Sequence, residues 1–430
     1  MFLHGRSKYK IIDLPEKWHE LVDLDSIVVH ITPVGRHQKL FVEKIRDNSV
    51  YINSEKIGER LDYFYNIYGE KTGLRRPQTH MGETLLPPDY SIYEDKRFWK
   101  KMGGIAWRTA GIELSRGCPY ACTFCCVPMQ QHQHRAAREL FAEYKGIDNK
   151  VLKQKDPYHR EKPIPQFIKE VKEAIEKYKI NFVFFTDESF LSMNKDRLEE
   201  FFEAYEKIKL PFFIETRVET VKPGFGKKLE RVGCAGVAMG VESGSISLRK
   251  SLLDRFMPDS EILRGFKELE QTNIRISANN IIGFPGETRE DIMLTIDLNR
   301  KINPDTIMCN AFRPYAGTKL RKICIDKGLI PKEERAEDNR IYGAFFNGVL
   351  TSNELENIRK VFALYVSFPK SRWAEIKKSE TNPILYNKLM KEFNEKQLLD
   401  RKNRQNMPGS LHDNIDAHEL FINDPESVVI

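Results

Sequence analysis

The middle of the chain alternates short apolar runs with stretches in which apolar side chains recur at helical spacing. Six of the apolar runs predict β-strands, at residues 111–114, 181–186, 211–216, 236–241, 275–283 and 306–312. Helical stretches separate these runs; one of them places Leu198, Phe201, Phe202 and Tyr205 along one face. Six strand–helix units in succession predict a parallel sheet with helical crossovers, which binds ligands at the carboxyl ends of its strands.

The regions on either side of this central zone differ from it in their pattern of apolar and polar residues. Residues 1–108 contain strand-like runs at 27–31 and 39–42, followed by irregular sequence, and residues 331–430 are charged and helical. A partial barrel and a doubly wound sheet both accommodate six units, and we favour the barrel. We therefore predict an α/β protein in three parts: a small α/β N-terminal region at 1–108, a partial (β/α)6 TIM-like barrel at 109–330 and a helical C-terminal region at 331–430.

Composition narrows the class of protein. Hydrophobic residues make up 40% of the 430 residues and charged residues 30%, which excludes disordered, collagen-like and coiled-coil chains. No apolar run approaches the ~20 residues needed to span a bilayer, and the first residues lack the apolar stretch of a secretory signal. We therefore expect a cytoplasmic protein without membrane association. The net charge of +7 is mild for this length, so we do not expect a nucleic-acid partner.

Four of the seven cysteines lie within nine consecutive residues, directly after the first predicted strand. Cys118, Cys122 and Cys125 have the spacing C-x3-C-x2-C, and Cys126 follows at once. Three thiolates on a short loop can hold three irons of a [4Fe–4S] cluster, and the fourth iron then stays open to another ligand. Because adjacent residues rarely reach one cluster, we interpret Cys126 as packed beside the site.

A zinc site is the alternative interpretation of the cysteine loop. Structural zinc needs four Cys or His ligands, and the nearby His132 and His134 could complete a set of three cysteines and one histidine. The chain would then be a non-catalytic, zinc-stabilised binding protein, and zinc rather than iron would co-purify with it. Cys234, Cys309 and Cys324 lie within predicted elements and are interpreted as small buried apolar residues.

The cysteine spacing, with Phe124 before the third cysteine, resembles the motif of the radical S-adenosylmethionine superfamily. The longer string at residues 115–125 is similar to the subgroup whose members often carry an N-terminal cobalamin-binding domain. Three further blocks match that subgroup in the same order, at residues 185–190, 240–245 and 283–288. The resemblance covers about residues 85–328, and the cysteine motif is its most specific part.

The resemblance implies a mechanism and its cofactors. Cys118, Cys122 and Cys125 would hold the [4Fe–4S] cluster, and S-adenosylmethionine would bind its open iron, with Phe124 packed beside it. One electron from the cluster, supplied by a donor such as flavodoxin or ferredoxin, would cleave the cofactor to a 5′-deoxyadenosyl radical. That radical would activate a C–H bond of a small-molecule or peptide substrate, for methyl transfer or rearrangement. The protein's part is to position the reactants and exclude water.

The resemblance also implies cofactor-binding residues at the ends of the second to fifth strands: Asp187, Glu188, Arg217, Glu242, Ser243, Ile282 and Gly283. The two acidic residues after the second strand would accept hydrogen bonds from the methionine amino group, and the arginine would pair with its carboxylate. Glu242 and Ser243 would bind the ribose or the methionine moiety, and Ile282 and Gly283 would contact adenine. Structural roles compete with each of these assignments: a helix cap, an ion pair or a tight turn. No catalytic side chain is predicted.

Two departures from the subgroup bear on the cofactor and the substrate. The Asp-x-His-x-x-Gly string of cobalamin binders is missing, so cobalamin stays an open cofactor. A radical methylthiotransferase acting on tRNA is a further alternative. Such an enzyme would have a second set of three cysteines near its N-terminus, and no cysteine precedes Cys118 in this sequence.

Overall fold

The computed structural model describes residues 27–31, 38–42, 44–46, 49–52, 55–59, 90–92, 94–102, 105–131, 159–315, 317–331 and 345–405. The chain divides into two compact units. The first unit comprises Met1–Leu85, Gly117–Ala121 and Cys125–Arg160, and the second comprises Leu86–Arg116, Cys122–Phe124 and Glu161–Ile430. The three-part division of the chain that the sequence suggests stays a prediction.

The first unit contains five short antiparallel strands among its described residues. Strand β1 (Ile27–Ile31) pairs with β2 (Gln38–Val42). Strands β3 (Lys44–Arg46), β4 (Ser49–Ile52) and β5 (Glu55–Glu59) form a three-stranded sheet. The two strand-like runs of the N-terminal sequence are therefore confirmed. Residues 126–131, after the third cysteine, are helical.

The second unit is built on a seven-stranded sheet. Its first two strands along the chain are β6 (Trp99–Met102) and β7 (Ile105–Ile112). The next two strands, β8 (Ser115–Arg116) and β9 (Arg160–Glu161), have two residues each and lie outside this sheet. The remaining members are β10 (Phe182–Phe185), β11 (Phe212–Arg217), β12 (Cys234–Glu242), β13 (Arg275–Ile282) and β14 (Thr306–Ala311). The spatial order is β14-β13-β12-β11-β10-β7-β6, with six parallel strands and the antiparallel β6 at one edge. This curled parallel sheet confirms the partial barrel.

Helices connect the parallel strands, and further helices follow the last strand. The helices between the parallel strands are α1 (Ile164–Tyr178), α2 (Lys195–Tyr205), α3 (Phe225–Arg231), α4 (Ile246–Ser251), α5 (Asp259–Glu270) and α6 (Arg289–Ile302), and α7 (Lys319–Asp326) follows the last strand. The helices α8 (Ser352–Ser367), α9 (Trp373–Ser379) and α10 (Pro383–Gln405) confirm the helical character that the sequence predicts for the C-terminal region, within residues 345–405. Among the described helices, none combines the length and the apolar character needed to cross a bilayer.

The extent predicted for the first strand of the parallel sheet is wrong. The prediction covered residues 111–114, whereas β7 runs from Ile105 to Ile112. Two polar residues, Arg108 and Thr109, interrupt the apolar pattern of β7 in the sequence, and both contact Phe98. The Arg108 guanidinium lies over the Phe98 ring at 4.6 Å, and Thr109 Oγ1 donates to the Phe98 carbonyl oxygen at 3.2 Å. Local patterning cannot anticipate these partners, because they come from a separate turn of the chain.

The two faces of the parallel sheet differ in character. Along β13, Ile276, Ala278 and Ile282 are buried, while Ser277 and Asn279, which alternate with them, are only half-buried. The buried face packs against the helices in two clusters of side chains. One cluster joins the central strands to α1, α2 and α5, and the other joins the end of β13 to α6 and α8. The opposite, more polar face is the inner surface of the curled sheet.

Two buried polar side chains hold the turn between β13 and α6. Glu287 Oε2 accepts from the backbone N–H of Gly283 at 2.6 Å and of Phe284 at 3.2 Å. Asn347 Nδ2 donates to the carbonyl oxygens of Phe284 at 3.0 Å and Glu287 at 2.9 Å. Burial raises the pKa of Glu287 from an ordinary value of 4.5 to about 8, although the two N–H donors oppose the shift. The turn is therefore held by a carboxyl group that stays protonated near neutral pH.

We expect Glu287→Gln to alter the pH dependence of stability. A folded-state pKa above the unfolded one means that the folded protein binds the proton more tightly, so the wild type loses stability as the pH rises from about 4.5 to about 8. The amide mimics the neutral acid and cannot ionise. Chemical denaturation at a series of pH values should show the variant surpassing the wild type by ~4 kcal/mol above pH 8 and matching it below pH 4.5. Parallel pH profiles for the two proteins would contradict this.

Candidate functional site

The sulfur of Cys122 lies against two guanidinium groups at the carboxyl edge of the parallel sheet. Arg217, the last residue of β11, donates from Nη1 to Cys122 Sγ at 2.8 Å. Arg255, which follows α4, places its Nη1 at 3.8 Å from the same sulfur. Both arginines are buried, with 7% and 2% of their surfaces exposed. Because metals are bound by thiolates, two buried cations provide a favourable setting for Cys122 as a metal ligand.

Thr123, the residue after Cys122, is fixed by hydrogen bonds within the second unit. The Thr123 amide donates to the Leu253 carbonyl oxygen at 3.3 Å, and its hydroxyl donates to that of Leu252 at 2.6 Å. The Thr123 carbonyl oxygen accepts from the Leu320 amide at 3.0 Å. The position of Cys122 relative to the strand ends is therefore set by three hydrogen bonds to the ends of α4 and α7.

Phe124, the aromatic residue of the cysteine motif, packs against the turn after β13. Its ring centroid lies 6.0 Å from that of Phe284. Phe312 lies 5.3 Å beyond Phe284, and Phe345 lies 5.8 Å beyond Phe312. This row of rings joins the cysteine loop to the ends of β13 and β14, which explains why an aromatic residue suits this position.

Asp187 is directed at the backbone that leads into the cysteine loop. Its Oδ2 accepts from the Leu114 amide at 3.1 Å, and its Oδ1 accepts from the amide of Ser115 at 2.5 Å and from the Ser115 hydroxyl at 2.6 Å. Burial raises the pKa of Asp187 to about 7 against these three hydrogen bonds. Glu188, the next residue, is exposed. The two predicted acidic ligands therefore have different surroundings, and only Asp187 holds the chain ahead of the cysteines.

Glu242 ends β12 in a conformation that is rare for a residue with a side chain. Its φ is 63°, which lies in the left-handed region. Its Oε1 lies 3.8 Å from Arg255 Nη1, and a Cβ atom at Gly240 would overlap this same oxygen. Burial raises the pKa of the Glu242 carboxyl, and the positive charges of Arg255 and Arg217 oppose the shift. Cys122, Arg217, Arg255 and Glu242 thus form one buried cluster of polar side chains.

The other predicted ligands at the ends of β12 and β13 lie deeper in the protein. The Ser243 side chain is fully buried, and its hydroxyl accepts from the Ser245 amide at 3.2 Å. The Ile282 side chain lies in the cluster with α8, on the helical side of the sheet, and its carbonyl oxygen accepts from the Phe312 amide at 2.8 Å. Gly283 has a φ of 86°, and its amide donates to Glu287. Contact between these three residues and the cofactor stays a prediction.

Sequence reasoning missed three residues that organise the site. Arg255 follows α4 and carries no local signal, since its partners are 133 residues away at Cys122 and 15 away at Gly240. Asn347 lies 63 residues after Phe284, so its role at the turn is equally invisible in the sequence. Glu287 belongs to the block at residues 283–288 that matches the subgroup. Its place just after a predicted strand was the one indication in the sequence that it has a role.

Cys118 and Cys125 are half-buried and belong to the first unit, whereas Cys122 belongs to the second. No disulfide joins any of the seven cysteines, all of which lie in the described part of the chain. Within the described residues, no three Cys, His, Asp or Glu side chains are gathered in a metal-binding arrangement. The shared cluster of Cys118, Cys122 and Cys125 therefore stays a prediction. His132 and His134, the candidate zinc ligands, lie outside the described residues.

Comparison with known proteins identifies the central region. The profile of the Radical SAM superfamily matches residues 112–298. A methyltransferase of Pyrococcus horikoshii, itself described as uncharacterized, is 25% identical over 257 residues, which are 59% of this chain and 50% of that protein. The tRNA-2-methylthio-N(6)-dimethylallyladenosine synthase of Moorella thermoacetica is 24% identical over 306 residues, which are 68% of this chain and 61% of that protein.

A solved structure gives a weaker match. The radical S-adenosylmethionine methyltransferase TsrM from Kitasatospora setae, with cobalamin and a [4Fe-4S] cluster bound, is 15% identical, with a TM-score of 0.39 over 51% of this chain and 40% of that chain. The chain spans about half the length of the curated relatives it matches. Residues 112–298, which include the cysteine motif and the central parallel strands, are therefore similar to the Radical SAM superfamily.

Proposed function

We propose that the chain is a radical S-adenosylmethionine enzyme. It would bind a [4Fe–4S] cluster through Cys118, Cys122 and Cys125 and cleave S-adenosylmethionine reductively to activate a C–H bond. One observation carries the proposal: within the matched domain, Cys122 of the C-x3-C-x2-C motif lies among Arg217, Arg255 and Glu242, at the ends of parallel strands. The carboxyl ends of such strands are where α/β enzymes place their ligands.

The chemistry of the three thiols supports an iron–sulfur cluster as the bound group. Three thiols that form no disulfide are the usual ligands of such a centre, and Cys122 has buried positive charges beside it. When bound, the cluster would supply the electron that cleaves S-adenosylmethionine to a 5′-deoxyadenosyl radical. The protein would hold the three sulfurs, keep water away and fix the cofactor against the inner face of the sheet.

Arg255 and Glu242 are the charged pair that best suits the methionine end of S-adenosylmethionine. That end carries an ammonium and a carboxylate, which complement a buried carboxyl and a buried guanidinium 3.8 Å apart. The Nε atom of Arg255 has no hydrogen-bond partner among the described residues, so the side chain retains a donor for a ligand. Glu188, which is exposed, is the second candidate for the ammonium. We retain Ser243, Ile282 and Gly283 as proposed neighbours of the ribose and adenine.

Methyl transfer to a small molecule or peptide is the reaction that we favour. Two of the curated relatives are named methyltransferases, from Pyrococcus horikoshii and Chlorobaculum tepidum, at 25% and 23% identity. The electron would come from a donor such as flavodoxin or ferredoxin. Cobalamin remains part of the proposal as an optional cofactor. Its retention after desalting of a sample mixed with hydroxocobalamin would decide this point.

We expect Cys122→Ala to abolish cluster binding and cofactor cleavage. The substitution removes one of three proposed iron ligands, and two thiolates do not hold a cubane cluster in place. The full chain is reconstituted anaerobically with iron and sulfide, and then given dithionite and S-adenosylmethionine. Iron, acid-labile sulfide and 5′-deoxyadenosine are then measured. The wild type should contain about four irons per protein chain, as one [4Fe–4S] cluster requires, and should release the nucleoside. The variant should do neither.

Cys126→Ala is the matched control for this experiment. It removes a thiol from the adjacent position, which we place outside the ligand set, so it should keep the cluster and release 5′-deoxyadenosine at the wild-type level. Nucleoside release by Cys122→Ala, or loss of the cluster in Cys126→Ala alone, would refute the ligand assignment. Co-purification of zinc with an iron-free wild type would favour the zinc-stabilised binding protein.

We expect Glu242→Gln to weaken the binding of S-adenosylmethionine at least tenfold. A buried carboxylate opposite an ammonium contributes a charge-assisted hydrogen bond, and each ~1.4 kcal/mol lost corresponds to a factor of ten. Equilibrium binding to the reconstituted protein measures the dissociation constant. Glu261→Gln, on the outer helix α5, serves as the charge-matched control and should bind like the wild type. Equal affinity for Glu242→Gln and wild type would remove Glu242 from the cofactor site.

A further inference from the structure

We propose that Arg217 acts on the sulfur of Cys122 and sets the reduction potential of the cluster bound there, with Glu219 balancing its charge. The resemblance implies a different role for this arginine, as partner of the methionine carboxylate. The inference rests on the proposed function, because it requires a cluster held through Cys122. It is carried by the hydrogen bonds of the Arg217 side chain, the fixation of its backbone and its burial.

The donors of Arg217 are directed at other protein groups. Nη1 donates to Cys122 Sγ at 2.8 Å, and Nε donates to Glu219 Oε1 at 2.7 Å. Nη2 forms the ion pair with the same carboxylate and lies 3.9 Å from the Met257 sulfur. A bidentate grip on a methionine carboxylate uses two neighbouring nitrogens of the guanidinium, and Glu219 and Cys122 already occupy those positions.

The backbone of Arg217 is fixed as well as its side chain. The Arg217 amide donates to the Ser189 hydroxyl at 3.4 Å, and the Thr220 hydroxyl donates to the Arg217 carbonyl oxygen at 2.6 Å. The Thr220 hydroxyl also lies 2.7 Å from the Thr216 hydroxyl. A guanidinium on so constrained a segment keeps its distance from the sulfur. Such support of a side chain that contacts a metal ligand is how proteins tune metal centres.

The direction of the effect follows from the charge of the electron. Reduction makes a cluster more negative, so a nearby cation and a hydrogen bond to a ligand sulfur both favour the reduced form and raise the potential. Burial strengthens this influence, since the side chains of Arg217 and Glu219 are only 9% and 16% exposed and water screens them little. Glu219 carries the opposite charge and must act in the opposite direction. One of its oxygens, Oε2, has no partner among the described residues, so its charge is incompletely neutralised.

The test uses two substitutions with opposite expected signs. Arg217→Gln removes the positive charge and should shift the midpoint potential to more negative values. Glu219→Gln keeps an acceptor for Arg217 but removes the negative charge, so it should shift the potential to more positive values. We expect each shift to correspond to at least a tenfold change in the reduction equilibrium, which is ~59 mV for a one-electron couple. Arg217→Lys retains the charge and should fall between Arg217→Gln and the wild type.

The measurement is a redox titration of the reconstituted full chain, followed by electron paramagnetic resonance in the absence of S-adenosylmethionine. Omitting the cofactor separates an effect on the cluster from an effect on the methionine carboxylate. Arg264→Gln is the matched control, because the guanidinium of Arg264 donates to the Val221 carbonyl oxygen and not to a cysteine sulfur. The midpoint potential of this variant should equal that of the wild type. Affinity for S-adenosylmethionine is measured in parallel and should change less in Arg217→Gln than in Glu242→Gln.

Two results would overturn the inference. Midpoint potentials of Arg217→Gln and Glu219→Gln that equal the wild-type value, or that shift in the same direction, would show that this pair does not set the potential. If Arg217→Gln does not load a cluster, the comparison with the wild type decides: a positive shift in Glu219→Gln together with a negative shift in Arg217→Lys supports the inference, and no shift in either variant overturns it. A wild type without iron and sulfide would instead overturn the proposed function, and this outcome is visible before any variant is compared.

Discussion

Two buried arginines at the carboxyl edge of the parallel sheet impose the main constraint on this structure. A guanidinium that leaves water needs charged or hydrogen-bonding partners, because an isolated buried charge costs several kcal/mol. Arg217 finds Glu219 and the sulfur of Cys122, and Arg255 finds the Gly240 carbonyl oxygen with Glu242 nearby. Cys122 is therefore part of the electrostatic balance of the sheet edge as well as a candidate ligand.

The supports of this edge come from distant parts of the chain. Thr123 is bound to the ends of α4 and α7, and Asp187 holds the backbone before the cysteines. Glu287 and Asn347 fix the turn against which Phe124 packs through Phe284. Each support uses a buried polar group with directional hydrogen bonds, which fixes geometry better than apolar packing does. A rigid surround of this kind suits a site that must hold a reactive species in place.

Strand geometry, and not sequence spacing, decides where the side chains of the candidate residues lie. Alternation along β13 places the Ile282 side chain against α8, while the proposed contact of this residue with adenine stays a prediction. The register between β12 and β13 shifts between Gly240 and Glu242, and Glu242 takes a positive φ, so the carboxyl turns toward Arg255. Arg217 is at the predicted strand end but faces a sulfur. A pattern read along the chain contains none of these orientations.

From the sequence, six apolar runs separated by helical stretches predict the class of fold, and C-x3-C-x2-C with Phe124 indicates the class of cofactor through its resemblance to a known motif. These features depend on residues close together in the chain, whose spacing is set by local backbone geometry. The charges beside Cys122 could not be predicted in this way, because Arg217 and Arg255 are 95 and 133 residues away from it in the chain. Strand order, register and helix packing bring them together, and those depend on the whole core at once.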